Sequence, residues 1–275
     1  MGMDEYHSHK LDKANLKAGP ISCSMLKQFS KNPYSWRFGN TEFTPTAAMQ
    51  TGSLFDLCLT EPDTIGDRVV AKAFDNYKTK AAQEWRDEML AKGAIIATQA
   101  EIDHAMKAAD AVRGHKVAGE ILDGCRFQVG AVAEIHGIPA KCLIDIEPAF
   151  ESEWGETLVD YKTTSFGLED VTSAISKFGY HIQAAFYRSL KNTADKERYC
   201  EDFAFIFQDV NTLEVRVVKL SADAMNLGVR YVRKAVQEFA RCAERGIGSR
   251  YAETVTEVGV QGWLASQQEE WIEGA

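Results

Sequence analysis

Two aspartates and a lysine stand out in the middle of the chain. Asp145 closes the run KCLID, and Asp160 and Lys162 sit in LVDYKTT, residues Leu158 to Thr164. Both runs read as strands. Side chains alternate along a strand, so Asp160 and Lys162 point to one side and Tyr161 to the other. If the two strands pair, Asp145 and Asp160 meet at one end of a sheet. Two carboxylates brought together repel unless a cation lies between them, and hard oxygen donors suit Mg²⁺ or Mn²⁺. A lysine beside such a cation can orient a water or help to deprotonate it. A metal, a water and an ammonium group together are what in-line attack on a phosphodiester requires. The competing reading of Asp160 and Lys162 is a solvated ion pair at a strand end, which D-x-K on its own favours.

The elements that must position these residues can be read around them. ISCSMLKQFSKNPYSWRFG reads as a short helix with Ile21, Met25, Leu26 and Phe29 on one face and Pro33 ending it. TPTAAMQTGSLFDLCLTEP is a second helix, with Pro45 in its first turn and Pro62 at its stop. A polar helix closed by Gly93 follows, then one opened by Thr98 and Glu101 at capping-box spacing. After Gly124 the pattern alternates and is rich in Val and Ile. It breaks at HGIP, a hairpin turn, and LVDYKTT is the third strand of the meander. A long helix from about Leu168 to Asn192 carries Gln183 and Tyr187, four apart and so on one face. A hairpin turning at DVNT and a last long helix complete an α/β arrangement with a mixed central sheet.

Composition bounds the partners. Hydrophobic residues make up 45% and charged residues 26%, as in an ordinary globular protein. No apolar run is long enough to span a membrane, and the polar start lacks an apolar signal core, so a cytoplasmic protein is expected. A net charge of −9 argues against non-specific coating of nucleic acid, while leaving room for a local basic groove. The six cysteines form no C-x-x-C pair and read as free, mostly buried thiols. His7 and His9 fall in the leader, His136 in a turn and His181 beside the Gln183 face; none is read as catalytic. Arg230, Arg233, Lys234 and Arg241 lie on the last long helix, either as a solvated face or as a contact for DNA or another subunit.

D-(x)n-D-x-K across a meander, followed by Q-x-x-x-Y on a helix, resembles the PD-(D/E)-x-K nuclease superfamily. Within it the chain resembles the branch holding RecB-type nuclease domains and the RecE (exodeoxyribonuclease VIII) family. ISCSMLKQFSKNPYSWRFG resembles that family's opening helix, TAAMQTGSLFDLCLTEPD its G-x-x-x-H-x-x-x-x-E-P segment, and AEIHGIPAKCLIDI its first hairpin, so the likeness runs from about residue 20 to 240.

The resemblance implies a restriction-endonuclease-like core, with a flexible lead-in over residues 1–20 and one nuclease domain over residues 21–275. It implies Asp145 and Asp160 as metal ligands, completed by the backbone carbonyl of Tyr161, with Mg²⁺ or Mn²⁺ as cofactor. Lys162 would position or activate the water. Gln183 and Tyr187 would contact the DNA backbone or support the site, and Glu134 would orient a metal-bound water or a second ion. Asp56 stands where the family has histidine and could bind metal through oxygen. The implied activity is 5′→3′ exonuclease action on double-stranded DNA ends. Ring-like homo-oligomers, a single-strand annealing partner in phage-type recombination, and no role at a membrane go with it. The alternatives are a catalytically impaired nuclease fold that binds DNA or a partner, and a Cas4-like or restriction-type nuclease.

Overall fold

The computed structural model describes residues 6, 8–39, 44–249 and 255–274. His7 lies outside them. The chain enters through a two-residue strand, β1 (Ile21–Ser22), and the helices α1 (Cys23–Lys31) and α2 (Pro33–Phe38). Proline 33 therefore opens a helix as well as ending one. Asn32 closes α1, and its side chain accepts from the Ser35 N–H to cap α2, with proline at the first helical position. Next come α3 (Ala47–Thr60), a short helical stretch over residues 62–68, and β2 (Val69–Ala71). After them lie α4 (Lys80–Ala91), β3 (Ile95–Ala97), α5 (Gln99–Gly114) and α6 (Lys116–Leu122). The expected capping box of Thr98 and Glu101 opens α5. β2 and β3 form a small parallel sheet that the sequence pattern did not announce.

The central sheet follows with β4 (Arg126–Ile135), β5 (Ile138–Glu147) and β6 (Thr157–Thr164). Then come the helices α7 (Val171–Phe178) and α8 (Tyr180–Ala194), the strands β7 (Asp202–Asp209) and β8 (Val215–Lys219), and α9 (Ala222–Arg245). A last helix, α10 (Gly262–Glu273), buries no residue. The single long helix expected near Leu168–Asn192 is two. Gly179 breaks it in the left-handed region at φ 62°, a conformation costly for any residue with a Cβ. The β4–β5 hairpin turns at His136 and Gly137, both at positive φ, as a two-residue hairpin of this hand requires.

The sheet is mixed, with β6 and β7 parallel and their outer neighbours antiparallel. Its decisive feature is a fork. β4 covers one edge of β5 from end to end. On the other edge β5 meets β6 at a single register pair, Ile146 with Val159, and further back meets β1, parallel, at Ala140 and Lys141. The strands β5 and β6 thus part after one pair, and β1 takes the vacated edge of β5.

Cores lie on both faces of the sheet. One gathers Phe29, Phe186, Phe203, Phe205 and Phe239 under α1, α8 and α9. The other gathers Leu54, Phe55, Val112, Val159 and Ile206 under α3 and α5. Residues 8–20 are not a detached lead-in. Leu16 is buried, Lys13 Nζ donates to the Trp36 carbonyl at 3.0 Å, and Lys141 Nζ donates to the Tyr6 carbonyl at 3.0 Å. The cysteines are all free thiols, five of them buried. No described helix is long and apolar enough to cross a membrane.

The closed end of the fork is pinned by charge. Glu147, fully buried, takes Lys191 of α8 at 2.7 Å, Arg126 of β4, and Arg198 at 3.7 Å. Arg198 also donates to the carbonyls of Pro148 (2.6 Å) and Gly155 (2.9 Å), fixing the loop between β5 and β6. Removing Glu147 takes an anionic partner from the buried Lys191 and Arg198. Glu147→Ala is expected to lower unfolding free energy by roughly 3–5 kcal/mol, read by urea denaturation followed by circular dichroism.

Candidate active site

The open end of the fork is a cleft of about 680 Å³ that Asp56, Asp145, Tyr161, Lys162 and Tyr180 help to line. Where β5 and β6 separate, the β6 backbone loses its ladder partners on that edge. Asp145 supplies one: its Oδ2 accepts from the Tyr161 N–H at 3.2 Å. In an extended strand the N–H and C=O of one residue point to the same edge. The Tyr161 carbonyl therefore faces the fork as well, as a metal-ligand role for it requires. The Tyr161 side chain leaves by the opposite face, where its hydroxyl donates to Gln208 and Gln208 Nε2 donates to the Ala108 carbonyl at 3.0 Å.

Asp160 and Lys162 share the other face, as the strand period predicts. Asp160 is 1% exposed. Its Oδ1 accepts from Gln183 Nε2 of α8 at 2.6 Å and its Oδ2 is paired with the Lys162 ammonium. That ammonium stands 5.3 Å from the centre of the Tyr180 ring. Tyr187, one turn beyond Gln183, packs on the aromatic core with its ring 6.4 Å from Phe203. Burial first, and then the charge of Asp160, hold its phenol protonated. Gln183 touches the acid directly, whereas Tyr187 builds the wall behind it.

Asp56 reaches the cleft from α3. Gly52, one turn earlier, lets that helix approach β6, since a Cβ there would lie 3.2 Å from Thr163 Oγ1. Gln128 steadies Asp56 by donating from Nε2 to its Oδ2 at 3.2 Å. Gln128 lies in β4 at φ 51°, an uncommon conformation for a residue with a side chain. Nothing in a glutamine within an alternating strand signals this role. Tyr180 was also missed, though its spacing of three and seven from Gln183 and Tyr187 marks one helix face.

Glu134 is not brought to this place. It is exposed, and in the hairpin register it opposes Pro139, six residues from Asp145 along β5, or about 20 Å. A side chain at that distance cannot share an ion with Asp145. His136 and His181 do not line the cleft. Of the basic residues on α9, Arg230, Arg233 and Lys234 are exposed and Arg241 is paired with Glu238.

The electrostatics are those of crowded acids. Asp145 is held well above the usual carboxylate range by burial, then by the charge of Asp160, with which it shares a hydrogen bond; Lys162 opposes the shift. Asp56 is pushed up to about 6, again mainly by burial. Burial would lower the Lys162 ammonium, but Asp160 and Asp145 together outweigh it and raise its pKa. Lys162 is therefore a fixed cation here, suited to orienting a water or a phosphate rather than to taking a proton.

These residues fit a divalent cation. The donors are all oxygen, and Asp56 Oδ1 is buried without a hydrogen-bond partner. A cation would take the place of the proton between Asp145 and Asp160. Among the described residues no three side chains already form a closed ligand cage. The ligand set that fits is two carboxylates with the Tyr161 carbonyl, and Asp56 alongside.

The chain matches a family described as a PDDEXK-like domain of unknown function, DUF3799, over residues 22–257. It belongs to this family. Among solved structures, a protein from Eubacterium rectale described as a "Putative exonuclease" superimposes with a TM-score of 0.58 at 14% identity, over 95% of this chain and 96% of that one. At that identity the likeness is one of fold: a mixed sheet flanked by helices, in the PDDEXK nuclease-like arrangement. SSO0001 matches over 78% of this chain and 84% of its own at 13% identity, with a TM-score of 0.30, too low to carry any argument. No curated protein sequence matches.

The raised acid in α3 has a measurable consequence. An aspartate titrates near 3.9 when unfolded, so below about pH 3 Asp56 is protonated in both states. As pH rises through about 6 the folded protein must ionise a buried carboxyl, and stability is lost. In EDTA, Asp56→Asn is expected to match the parent near pH 3 and to exceed it at pH 7 by at most about 3 kcal/mol, measured by denaturant unfolding at each pH.

Proposed function

We propose that this chain is a divalent-metal-dependent deoxyribonuclease that hydrolyses phosphodiester bonds at the ends of duplex DNA. The observation that carries it is the convergence at the fork of Asp145, Asp160, the Tyr161 carbonyl and the Lys162 ammonium, with Gln183 locked onto Asp160. Membership of a PDDEXK-like family supports the chemistry. The RecE-like order of motifs favours end-dependence and 5′→3′ direction, and the description of the Eubacterium rectale protein as a "Putative exonuclease" supports end-dependence.

Each residue has a distinct task. A divalent ion, when bound, would polarise the scissile phosphate and acidify a water. Asp145 and Asp160 bring the negative charge that such an ion needs. Gln183 fixes the orientation of Asp160 by holding Oδ1, leaving Oδ2 to the Lys162 ammonium. Lys162, kept protonated by the acids, holds the attacking water or a phosphate oxygen in line and offsets charge that develops in the transition state. The product strand would carry a 5′-phosphate. Asp56 supplies a buried oxygen in place of the family histidine, which keeps the site all-oxygen and favours Mg²⁺ or Mn²⁺ over softer metals.

The test is degradation of linear and closed circular duplex DNA with Mg²⁺ or EDTA, using the full chain and Lys162→Ala. The expected result is progressive loss of linear DNA only, abolished by EDTA and slowed about 10²–10³-fold by the substitution. Cutting of closed circles would refute end-dependence. Undiminished turnover by Lys162→Ala would refute the site. DNA binding without degradation would identify a binding module instead.

A further inference from the structure

A second and larger cavity, about 780 Å³, lies beside the acid cleft between α3, α4, α5 and β3. Its volume is that of a small-molecule site. Thr51 and Val210 line both cavities, so the two are neighbours that share a wall. The interior is apolar, walled by Leu54, Leu90 and Ile96. The mouth is cationic: Lys72 Nζ and the Arg86 guanidinium stand 5.8 Å and 5.3 Å from the centre of the Tyr77 ring. Lys72 also faces Glu101, whose charge is committed to the Thr98 cap, and Arg86 is held by Asp87 at 2.7 Å.

Deep in the slot one polar group is oriented. His104 Nε2 lies 2.7 Å from the Val210 carbonyl, and a carbonyl can only accept, so Nε2 carries the proton. Nothing in the hydrolytic arrangement of the acid cleft uses any of these groups.

We propose that this slot holds one unpaired nucleotide of the DNA strand whose phosphodiester lies in the acid cleft. Its base enters the apolar slot against Tyr77, and its phosphate rests on Lys72 and Arg86. This inference rests on the nuclease reading. Three features select that occupant. Adjacency to the cleft supplies the strand, the two cations suit a phosphate, and an apolar slot with aromatic walls, Phe55 and Tyr77, suits one base out of the stack. A paired base keeps its faces against its neighbours and cannot use the slot. The slot would thereby favour frayed or single-stranded ends and hold the strand in register for the cut.

The test is binding rather than turnover, so that it stands apart from the nuclease reading. The full chain in EDTA is titrated with a short fluorescent oligothymidylate, and in parallel with thymidine monophosphate. Tyr77→Ala and Lys72→Glu remove the stacking and the charge. Ala100→Trp fills the slot from an exposed position on α5 that lines it. Each is expected to raise the Kd for the oligonucleotide about tenfold with an unchanged melting temperature. The wild-type chain, irradiated with an oligonucleotide carrying 5-bromouracil, is expected to crosslink at Tyr77. Wild-type affinity in all three variants, or a crosslink outside the slot, overturns the proposal. Thymidine monophosphate binding as tightly as the oligonucleotide would also overturn it, making the slot a product site. If the nuclease reading alone fails, Mg²⁺-dependent cleavage is absent while binding and its loss in the variants persist.

Discussion

The site depends on one interruption in a sheet. β5 and β6 pair at Ile146 and Val159 and then part, leaving backbone groups of β6 without a strand to bond. A buried backbone N–H must find an acceptor. At Tyr161 the acceptor is the Asp145 carboxylate, and this bond fixes the first acid against the strand that carries the second. The same separation turns the Tyr161 carbonyl into the gap. Backbone hydrogen bonding, left incomplete by the fork, sets the geometry of the acids.

The rest of the fold keeps the fork from closing or opening further. At its closed end Glu147 gathers cations from β4, α8 and the segment before β7. At its open end β1 occupies the edge of β5 that β6 has left, so β6 cannot return to it. Helix α3 lies along β6 through Gly52, and α8 starts anew at Gly179 so that Tyr180 and Gln183 face Lys162 and Asp160. The acids then meet in a buried place where burial and the neighbouring carboxylates raise the proton affinity of Asp145 and Asp56, and Lys162 opposes both shifts. A cleft of this kind stores electrostatic cost that a divalent cation, if bound, would relieve.

Much of this could be read from spacing. The two-residue period of a strand puts Asp160 beside Lys162, and the four-residue step of a helix puts Gln183 and Tyr187 on one face. Local regularity was enough in both cases. What escaped depends on contacts between distant segments. Glu134 occupies a hairpin position that alternation alone makes plausible, yet strand length carries it away from Asp145. Gln128 supports Asp56 through a backbone conformation that glutamine does not advertise. The pairing of β1 with β5 involves only two residues, too few to show a pattern. Gly179 inside an apolar periodic stretch was absorbed into one helix, although its left-handed conformation decides where α8 points. Asp56 was singled out as a departure from a family pattern. In the structure it is an acid with one buried, unpartnered oxygen at the cleft.

The central claim is that the fork between β5 and β6 is a cation site. Anomalous diffraction from crystals of the full chain soaked in Mn²⁺ tests it most directly. One strong peak is expected in coordination contact with Asp145, Asp160 and the Tyr161 carbonyl, with the Lys162 ammonium displaced from Asp160. A peak elsewhere, or a fork in which Lys162 still holds Asp160 and no ion is bound at saturating Mn²⁺, would contradict it.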